Sequence, residues 1–466
     1  MKVVLVKPRY FDGPNQTFWR SVIPPLGHAR LAAGLIKERG DEVKIYDMEA
    51  LEADLKDLRQ FLEQEKPELV GIDIRTPLIR KVEKIARVVK SVLPKTIVIV
   101  GGPHTFLPMH DTLVEVPSAD YGLRGEAEET LVEFIDCLEK GASVSRLKKI
   151  PGMMLREGKR IFYSRRVPRI ENLDELPLPA HHLLPLDKYV DPFVPHKRLF
   201  AIMTTRGCPY NCSFCTEPVI YGRRVRARSV KNVVDEVEDL VRNHDVDYII
   251  FHDSTFNYNI ARVKDICREI LKRNLKFKWK VKARVDLVDF EMLKLMKQAG
   301  CQILGYGVEA GTTKALRVLN KRFTLTEVRR AFRLTKKVGL DILAYFMVGT
   351  YGETREDVLK TINFAIELDP TYAHIMTTTP MPGSAMYAEN KETIWVDDWS
   401  DFYFYNAIVD TKQLSHQEIK KLHRLFHLKF YLRPSYLFRQ LWSLKNWTDF
   451  KLKAKMGLFF LQKILS

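Results

Sequence analysis

Six cysteines stand in a chain of 466 residues, and three of them form the series Cys208-x3-Cys212-x2-Cys215. Three thiolates on one short loop can bind three corners of a cubane iron–sulfur cluster and leave its fourth iron open to an exogenous ligand. Zinc is the alternative, but a closed structural zinc site needs four ligands, and no fourth Cys or His follows at ribbon or finger spacing. Cys137, Cys267 and Cys301 lie in helical or strand contexts and read as small buried hydrophobes. So few cysteines in so long a chain argue against a disulfide scaffold and for metal or catalytic use in a reducing compartment.

The elements that must position this loop alternate between strand and helix. Over the first 140 residues or so, short β-branched runs at Val3–Val6, Val43–Tyr46, Leu69–Asp73 and Ile97–Val100 alternate with helices at Leu26–Arg39, Leu55–Glu65 and Ile79–Ser91. That pattern predicts a parallel sheet covered on both faces, a Rossmann-like doubly wound α/β unit. Its strand ends carry Tyr10, Thr76, Gly101-Gly102-Pro103-His104 and Gly125-Glu126. Ligands of such sheets sit at the carboxyl ends of the strands, where glycines admit a bulky group. A Pro-rich stretch from Leu176 to Pro195 predicts an extended linker. Six further strands, beginning at Phe200, Tyr248, Lys278, Gln302, Ile342 and Tyr372, predict a partial (β/α)6 TIM-type barrel with its active groups at the strand carboxyl ends. Four segments result: 1–145, a linker at 146–197, the barrel at 198–390, and a C-terminal helical region at 391–466, where Ile419, Leu422, Phe426 and Phe430 recur at helical spacing.

Hydrophobic residues at 46% and charged residues at 29% describe a globular chain. The start lacks a signal-peptide pattern, and no apolar run reaches the roughly 18–20 residues of a membrane-spanning helix, so a cytoplasmic location is expected. The net charge of +17 is unevenly placed: from Thr411 onward, 12 Lys and Arg face 2 Asp and Glu, a local +10. Tyr431, Tyr436, Trp442 and Trp447 interleave with Arg433, Arg439, Lys445 and Lys451. Such a tail suits an anionic membrane surface, a nucleic acid, or a helical lid whose charges are solvated.

With its aromatic Phe214 just before the third cysteine, the cysteine loop resembles the signature of the radical S-adenosylmethionine superfamily. Later segments resemble that superfamily in order: His252-Asp253-Ser254-Thr255-Phe256, Lys282-Ala283-Arg284, Gly305-Tyr306-Gly307-Val308-Glu309-Ala310-Gly311, Gly349-Thr350-Tyr351-Gly352-Glu353-Thr354 and Pro380-Met381-Pro382-Gly383-Ser384. Ala310 replaces a usual serine, and Tyr351 a common proline. The resemblance implies a 4Fe-4S cluster on Cys208, Cys212 and Cys215, and S-adenosylmethionine cleaved reductively to methionine and a 5′-deoxyadenosyl radical. It further implies Phe214 near the adenine, Asp253 toward the methionine end, Arg284 toward the cofactor carboxylate, and Glu309 toward the ribose hydroxyls or the amino group.

The N-terminal half is similar to the cobalamin-binding domain of one large subfamily. The matching pieces are Pro24-Pro25-Leu26-Gly27, Gly101-Gly102-Pro103-His104, Arg124-Gly125-Glu126-Ala127-Glu128 and Leu176-Pro177-Leu178-Pro179-Ala180. The resemblance implies cobalamin at Tyr10, Thr76, Gly101, Gly102, Pro103, His104, Gly125 and Glu126. The Asp-x-His-x-x-Gly motif of an axial histidine is absent; His104 is the nearest candidate ligand, with loop capping as the alternative. A degenerate scaffold domain is the other reading. The subfamily implies methyl transfer to an unactivated carbon of a hydrophobic, lipid-like or tetrapyrrole-like substrate. An oxidative cyclisation or rearrangement, or RNA modification using the tail, is the alternative. The expected partners are that small molecule, an electron donor such as flavodoxin or ferredoxin, and a membrane surface at the C-terminus in preference to nucleic acid.

Overall fold

A computed structural model describes residues 1–10, 21–107, 112–158 and 160–442, with Phe450 and Gly457. The first sheet contains β1 (Lys2–Lys7), β2 (Glu42–Asp47), β3 (Leu69–Asp73), β4 (Ile97–Gly101) and β5 (Tyr121–Leu123), all parallel, in the order β2-β1-β3-β4-β5. Alternate residues of β1 enter different cores. Val3 and Leu5 pack on the side of α1 (Leu26–Arg39) and α4 (Glu128–Glu139), whereas Val4 and Val6 pack on that of α2 (Leu55–Glu65) and α3 (Ile79–Val92). The period-2 alternation of a strand covered on both faces requires this arrangement. The core on the α1 and α4 side runs on without interruption into the barrel.

The expected linker over 146–197 is not extended throughout. Met153–Glu157 (β6) and Arg160–Tyr163 (β7) pair antiparallel and extend the first sheet beyond β5. Three short 3-10 turns, at Leu173–Glu175, His181–Leu183 and Leu186–Lys188, carry the rest of the crossing.

The second sheet is β8 (Leu199–Ile202), β9 (Tyr248–Phe251), β10 (Lys278–Ala283), β11 (Cys301–Glu309), β12 (Asp341–Val348) and β13 (Tyr372–Thr377), all parallel and paired in sequence order. The intervening helices include α5 (Val230–Asn243), α6 (Ile260–Lys272), α7 (Phe290–Gln298), α8 (Leu325–Val338) and α9 (Arg355–Leu368). β8 and β13 do not pair, so the barrel stays partial.

Helix α10 (His416–Tyr431) covers the open edge at β13. Ile419, Leu422, Phe426 and Phe430 are all buried on one stripe, as their spacing predicts. Tyr431 supplies what the edge strand lacks: its hydroxyl donates to the Ala373 carbonyl and accepts from the Ala373 N–H. The following helix α11 (Pro434–Trp442) docks through Tyr436, whose hydroxyl donates to the Thr371 carbonyl. Lys445, Trp447 and Lys451 of the basic tail lie outside the described residues. Among the described residues no helix is long and apolar enough to cross a membrane.

Candidate functional site

The cysteine loop leaves β8 through Thr205–Arg206, which pairs antiparallel with Arg226–Ala227. Gly207 makes the turn at φ +97°, and a Cβ there would lie 2.3 Å from the Arg224 carbonyl oxygen, so only glycine fits. Beyond it, the Cys208 N–H donates to the Gly222 carbonyl and the Cys215 N–H to the Cys212 carbonyl. Ser213 is tied to Val318 and Leu319, and Asn320 donates to the Asn211 carbonyl at 2.6 Å. The loop is therefore held from both sides.

Burial, reinforced by the neighbouring thiols, raises the Cys212 thiol and pushes Cys215 up to about 12. A cationic iron cluster reverses that balance by holding the thiolates directly, so the donor set fits a three-thiolate cluster site. Cys137, Cys267 and Cys301 are buried elsewhere.

Three of the four residues expected to meet S-adenosylmethionine gather beside this loop. Glu309 ends β11 in the left-handed region, at φ 66°, where a non-glycine residue costs about 1–3 kcal/mol. A β-bulge between Gly307 and Glu309 sets it there, and a Cβ at Gly307 would lie 2.5 Å from the Glu309 carboxylate. Lys321, which the sequence reading missed, donates to Glu309 Oε1 at 3.0 Å with both side chains buried. Burial disfavours the Lys321 ammonium, but Glu309 overrides it and raises its pKa. The same ammonium lies 5.7 Å from the centre of the Phe214 ring. The Lys321 carbonyl accepts from Arg284, which also grips Asp286 through two nitrogens and stacks 3.5 Å above Tyr210 of the cysteine loop. An aromatic face, a carboxylate and cationic groups suit a nucleoside with an amino-acid tail, so the set fits the cofactor.

Asp253 is placed differently from expectation. It is buried behind the loop and accepts from the N–H and hydroxyl groups of both Thr204 and Thr205, at 2.7–3.1 Å. Its carboxylate thereby braces the strand that feeds Cys208.

On the first sheet, the strand order reverses between β1 and β3, which puts the ligand crevice outside their carboxyl ends. Gly101 and the Pro103 turn lie on this edge. Gly102 adopts φ +135°, and a Cβ would stand 2.5 Å from Asp73 Oδ1. Tyr10 lies under the Arg75 guanidinium and 6.3 Å from the Tyr403 ring. The Nε atoms of Arg9 and Arg124 are buried on the same edge without a hydrogen-bond partner. Cobalamin, with its amide and phosphate acceptors, is a group that would satisfy them, and in that respect the edge fits it.

Three expected cobalamin residues are turned into the protein. His104 is buried, with Nδ1 3.1 Å from the Thr76 hydroxyl and Nε2 3.2 Å from Glu115, so neither His104 nor Thr76 presents its polar group to the crevice. These contacts are those of the loop-holding alternative for His104. Glu126 is buried against the barrel: its carboxylate accepts from Arg206 at 2.7 Å, from Arg226, and from the Ile170 N–H. Gly125, at φ +108°, serves the close approach of Pro168.

The carboxyl ends of the two sheets face each other. The short helix Glu217–Ile220 behind the cysteine loop packs on the Pro103–Phe106 turn, and Arg75 of the first sheet acts electrostatically on His252 of the second. His252 and Lys282 are exposed, one just after β9 and the other near the end of β10. Burial, with Lys282, Arg75 and Lys280 nearby, pushes His252 down to about 3 and keeps it neutral. Tyr345 on β12, His374 on β13 and Tyr405 form a linked aromatic group.

Comparison with known proteins agrees with this architecture. Residues 202–365 match the model of the radical SAM superfamily, and residues 20–135 that of the B12 binding domain. An uncharacterised methyltransferase of Pyrococcus horikoshii is 33% identical over 449 residues, covering 95% of both chains. The anaerobic magnesium-protoporphyrin IX monomethyl ester cyclase of Rubrivivax gelatinosus is 29% identical over 446 residues, 94% of this chain and 78% of that one. The solved structure of TsrM from Kitasatospora setae, a radical S-adenosylmethionine methyltransferase with cobalamin and a [4Fe-4S] cluster bound, shares the fold. Its TM-score is 0.71 at 20% identity, over 93% of this chain and 90% of that one. The chain therefore belongs to the radical S-adenosylmethionine superfamily, as an enzyme whose cluster-binding barrel follows a cobalamin-binding domain.

Proposed function

We propose that this enzyme methylates an unactivated carbon of an apolar substrate that also carries an anionic group. Bound cluster, S-adenosylmethionine and cobalamin would together supply hydrogen abstraction from that carbon and delivery of the methyl group. The chain's own residues bind and orient. Arg284, Glu309, Lys321 and Phe214 would hold the nucleoside beside the cysteine loop, and the edge between Arg9 and Arg124 would hold the corrin. The observation that carries the substrate class is the set of cations acting on the exposed His252 at the carboxyl ends of the strands. Asp73 pairs with Arg75 and Asp191 with Lys280, whereas Lys282 is exposed on β10 as the cation that can meet a ligand, and His252 beside it stays neutral. A cation placed there favours a carboxylate or phosphate on an otherwise apolar ligand. Reducing equivalents would come from a one-electron donor of the flavodoxin or ferredoxin type, whose acidic surface would suit a chain of net charge +17.

The test uses reduced holoenzyme, S-adenosylmethionine and polycyclic carboxylic acids, each paired with its methyl ester. Methylation yields S-adenosylhomocysteine and 5′-deoxyadenosine in equal amounts, with the free acids preferred. Preference for the esters would remove the anionic assignment. Deoxyadenosine without S-adenosylhomocysteine would favour the second reading, a radical cyclisation, to which the 29%-identical cyclase lends weight.

We also propose that α11 meets an anionic membrane surface. Leu437, Phe438, Leu441 and Trp442 are exposed along it, in the segment of excess positive charge. Co-sedimentation with anionic but not neutral liposomes is the expected result; retention on RNA alone would overturn it.

A further inference from the structure

A second group of metal-ligating side chains lies away from the cysteine loop, where the chain crosses from the first sheet to the barrel. His181 opens the second 3-10 turn of the crossing, Asp239 lies in the last turns of α5, and His244 follows that helix directly. His181 Nδ1 stands 3.3 Å from Asp239 Oδ2, and His244 Nε2 stands 3.4 Å from the same oxygen. Both separations exceed the usual N–H···O range of about 2.7–3.2 Å. They match the spacing of two ligands on tetrahedral zinc, about 3.3–3.4 Å for bonds of about 2.0–2.1 Å. One ligand atom from each residue falls within 4.8 Å of the others. Asp239 Oδ1 is held by the Asn243 side-chain amide at 2.8 Å, which fixes which oxygen faces the histidines.

The far side of His181 supplies an independent sign. Its Nε2 is buried without a hydrogen-bond partner and faces Glu236 Oε1, equally unpartnered, at 3.7 Å. Arg228 also reaches the other oxygen of that carboxylate. A metal on Nδ1 requires the ring proton on Nε2, aimed at that carboxylate, which is the carboxylate–histidine–metal arrangement that orients ligands. Arg30 of α1 reaches Glu236 at 3.4 Å, so the group sits at the junction of the two halves.

We propose that His181, Asp239 and His244 form a zinc site, with water in the fourth position, that clamps the crossing segment to α5. Reconstituted holoenzyme incubated with zinc chloride and desalted should retain about one zinc per chain, with only nitrogen and oxygen neighbours in its X-ray absorption spectrum. Asp239→Asn and His244→Ala should each cut that zinc by about tenfold or more and abolish the zinc-dependent rise in unfolding temperature, with iron and corrinoid contents unchanged. The near-isosteric Asp239→Asn keeps the test valid if His244→Ala folds poorly. Zinc retained by both variants, sulfur in its coordination shell, or no zinc bound at micromolar concentrations would overturn the proposal.

Discussion

Glu126 Oε2 stands 2.7 Å from Arg206 Nη1 with both side chains buried, so the loop after β5 grips the residue two positions before Cys208. The same carboxylate holds Arg226 on the partner strand of that residue. The contact couples the edge of the cobalamin-binding sheet to the root of the cluster loop. Removing one partner of a buried pair leaves an uncompensated charge, at about 3–5 kcal/mol. Glu126→Ala should lower the unfolding free energy by about that amount and reduce the iron retained after reconstitution. A variant of unchanged stability that lost corrinoid affinity would instead make Glu126 a corrin contact.

Lys321 and Glu309 form the second buried pair, directly beside the cysteine loop. Lys321→Met leaves the Glu309 carboxylate buried without its cation. S-adenosylmethionine affinity, measured calorimetrically on cluster-loaded protein, should fall by roughly tenfold or more, which is about 1.4 kcal/mol. Iron content should stay the same. Unchanged affinity would exclude this pair from the cofactor site.

Glu353 lies on the β12 side of the barrel rim, where burial pushes its carboxyl up to about 7. Its Oε2 accepts from the Thr350 N–H at 2.8 Å, while Oε1 is buried without a partner. The folded-state pKa lies above the ordinary carboxylate value, so the unfolded chain loses this proton first. Stability therefore falls as pH rises from about 4.5 to about 7, by roughly 3 kcal/mol once both states are ionised. Glu353→Gln should be close to neutral near pH 4.5 and stabilising by roughly that amount near pH 8, as read from denaturant midpoints. A pH-independent difference would contradict the assignment.

The Tyr431 hydroxyl both donates to and accepts from Ala373 on the edge strand of the barrel. Tyr431→Phe strips that strand of its only described side-chain partner at this position, at about 1–3 kcal/mol. Hydrogen exchange at the Ala373 amide should accelerate accordingly, and unchanged protection would show that α10 is not what closes this edge.

The elements were largely legible in the sequence because covered parallel strands are short β-branched runs, and helices such as Leu55–Glu65 and Leu26–Arg39 end at recognisable breaks. The hairpin of β6 and β7 was not. Met153–Glu157 and Arg160–Tyr163 are short, mix charge with apolar residues, and precede a Pro-rich run that reads as linker. The cysteine loop was legible because its chemistry is local. Asp253, Glu126 and His104 resemble ligand contacts in sequence, but only the tertiary fold brings them to Thr204, Arg206 and Glu115. Lys321 was missed for the opposite reason: Asn320-Lys321-Arg322 reads as a solvated turn, and only the tertiary fold buries the lysine against Glu309.

The central claim is that one chain holds a corrin at its first sheet and an iron–sulfur cluster at its second. The direct measurement is corrinoid and iron per chain, after anaerobic expression with added cobalamin and cluster reconstitution. The account predicts near one corrinoid and about four irons, with the irons lost and the corrinoid retained when Cys208, Cys212 and Cys215 are changed to alanine. Four irons without corrinoid would contradict it.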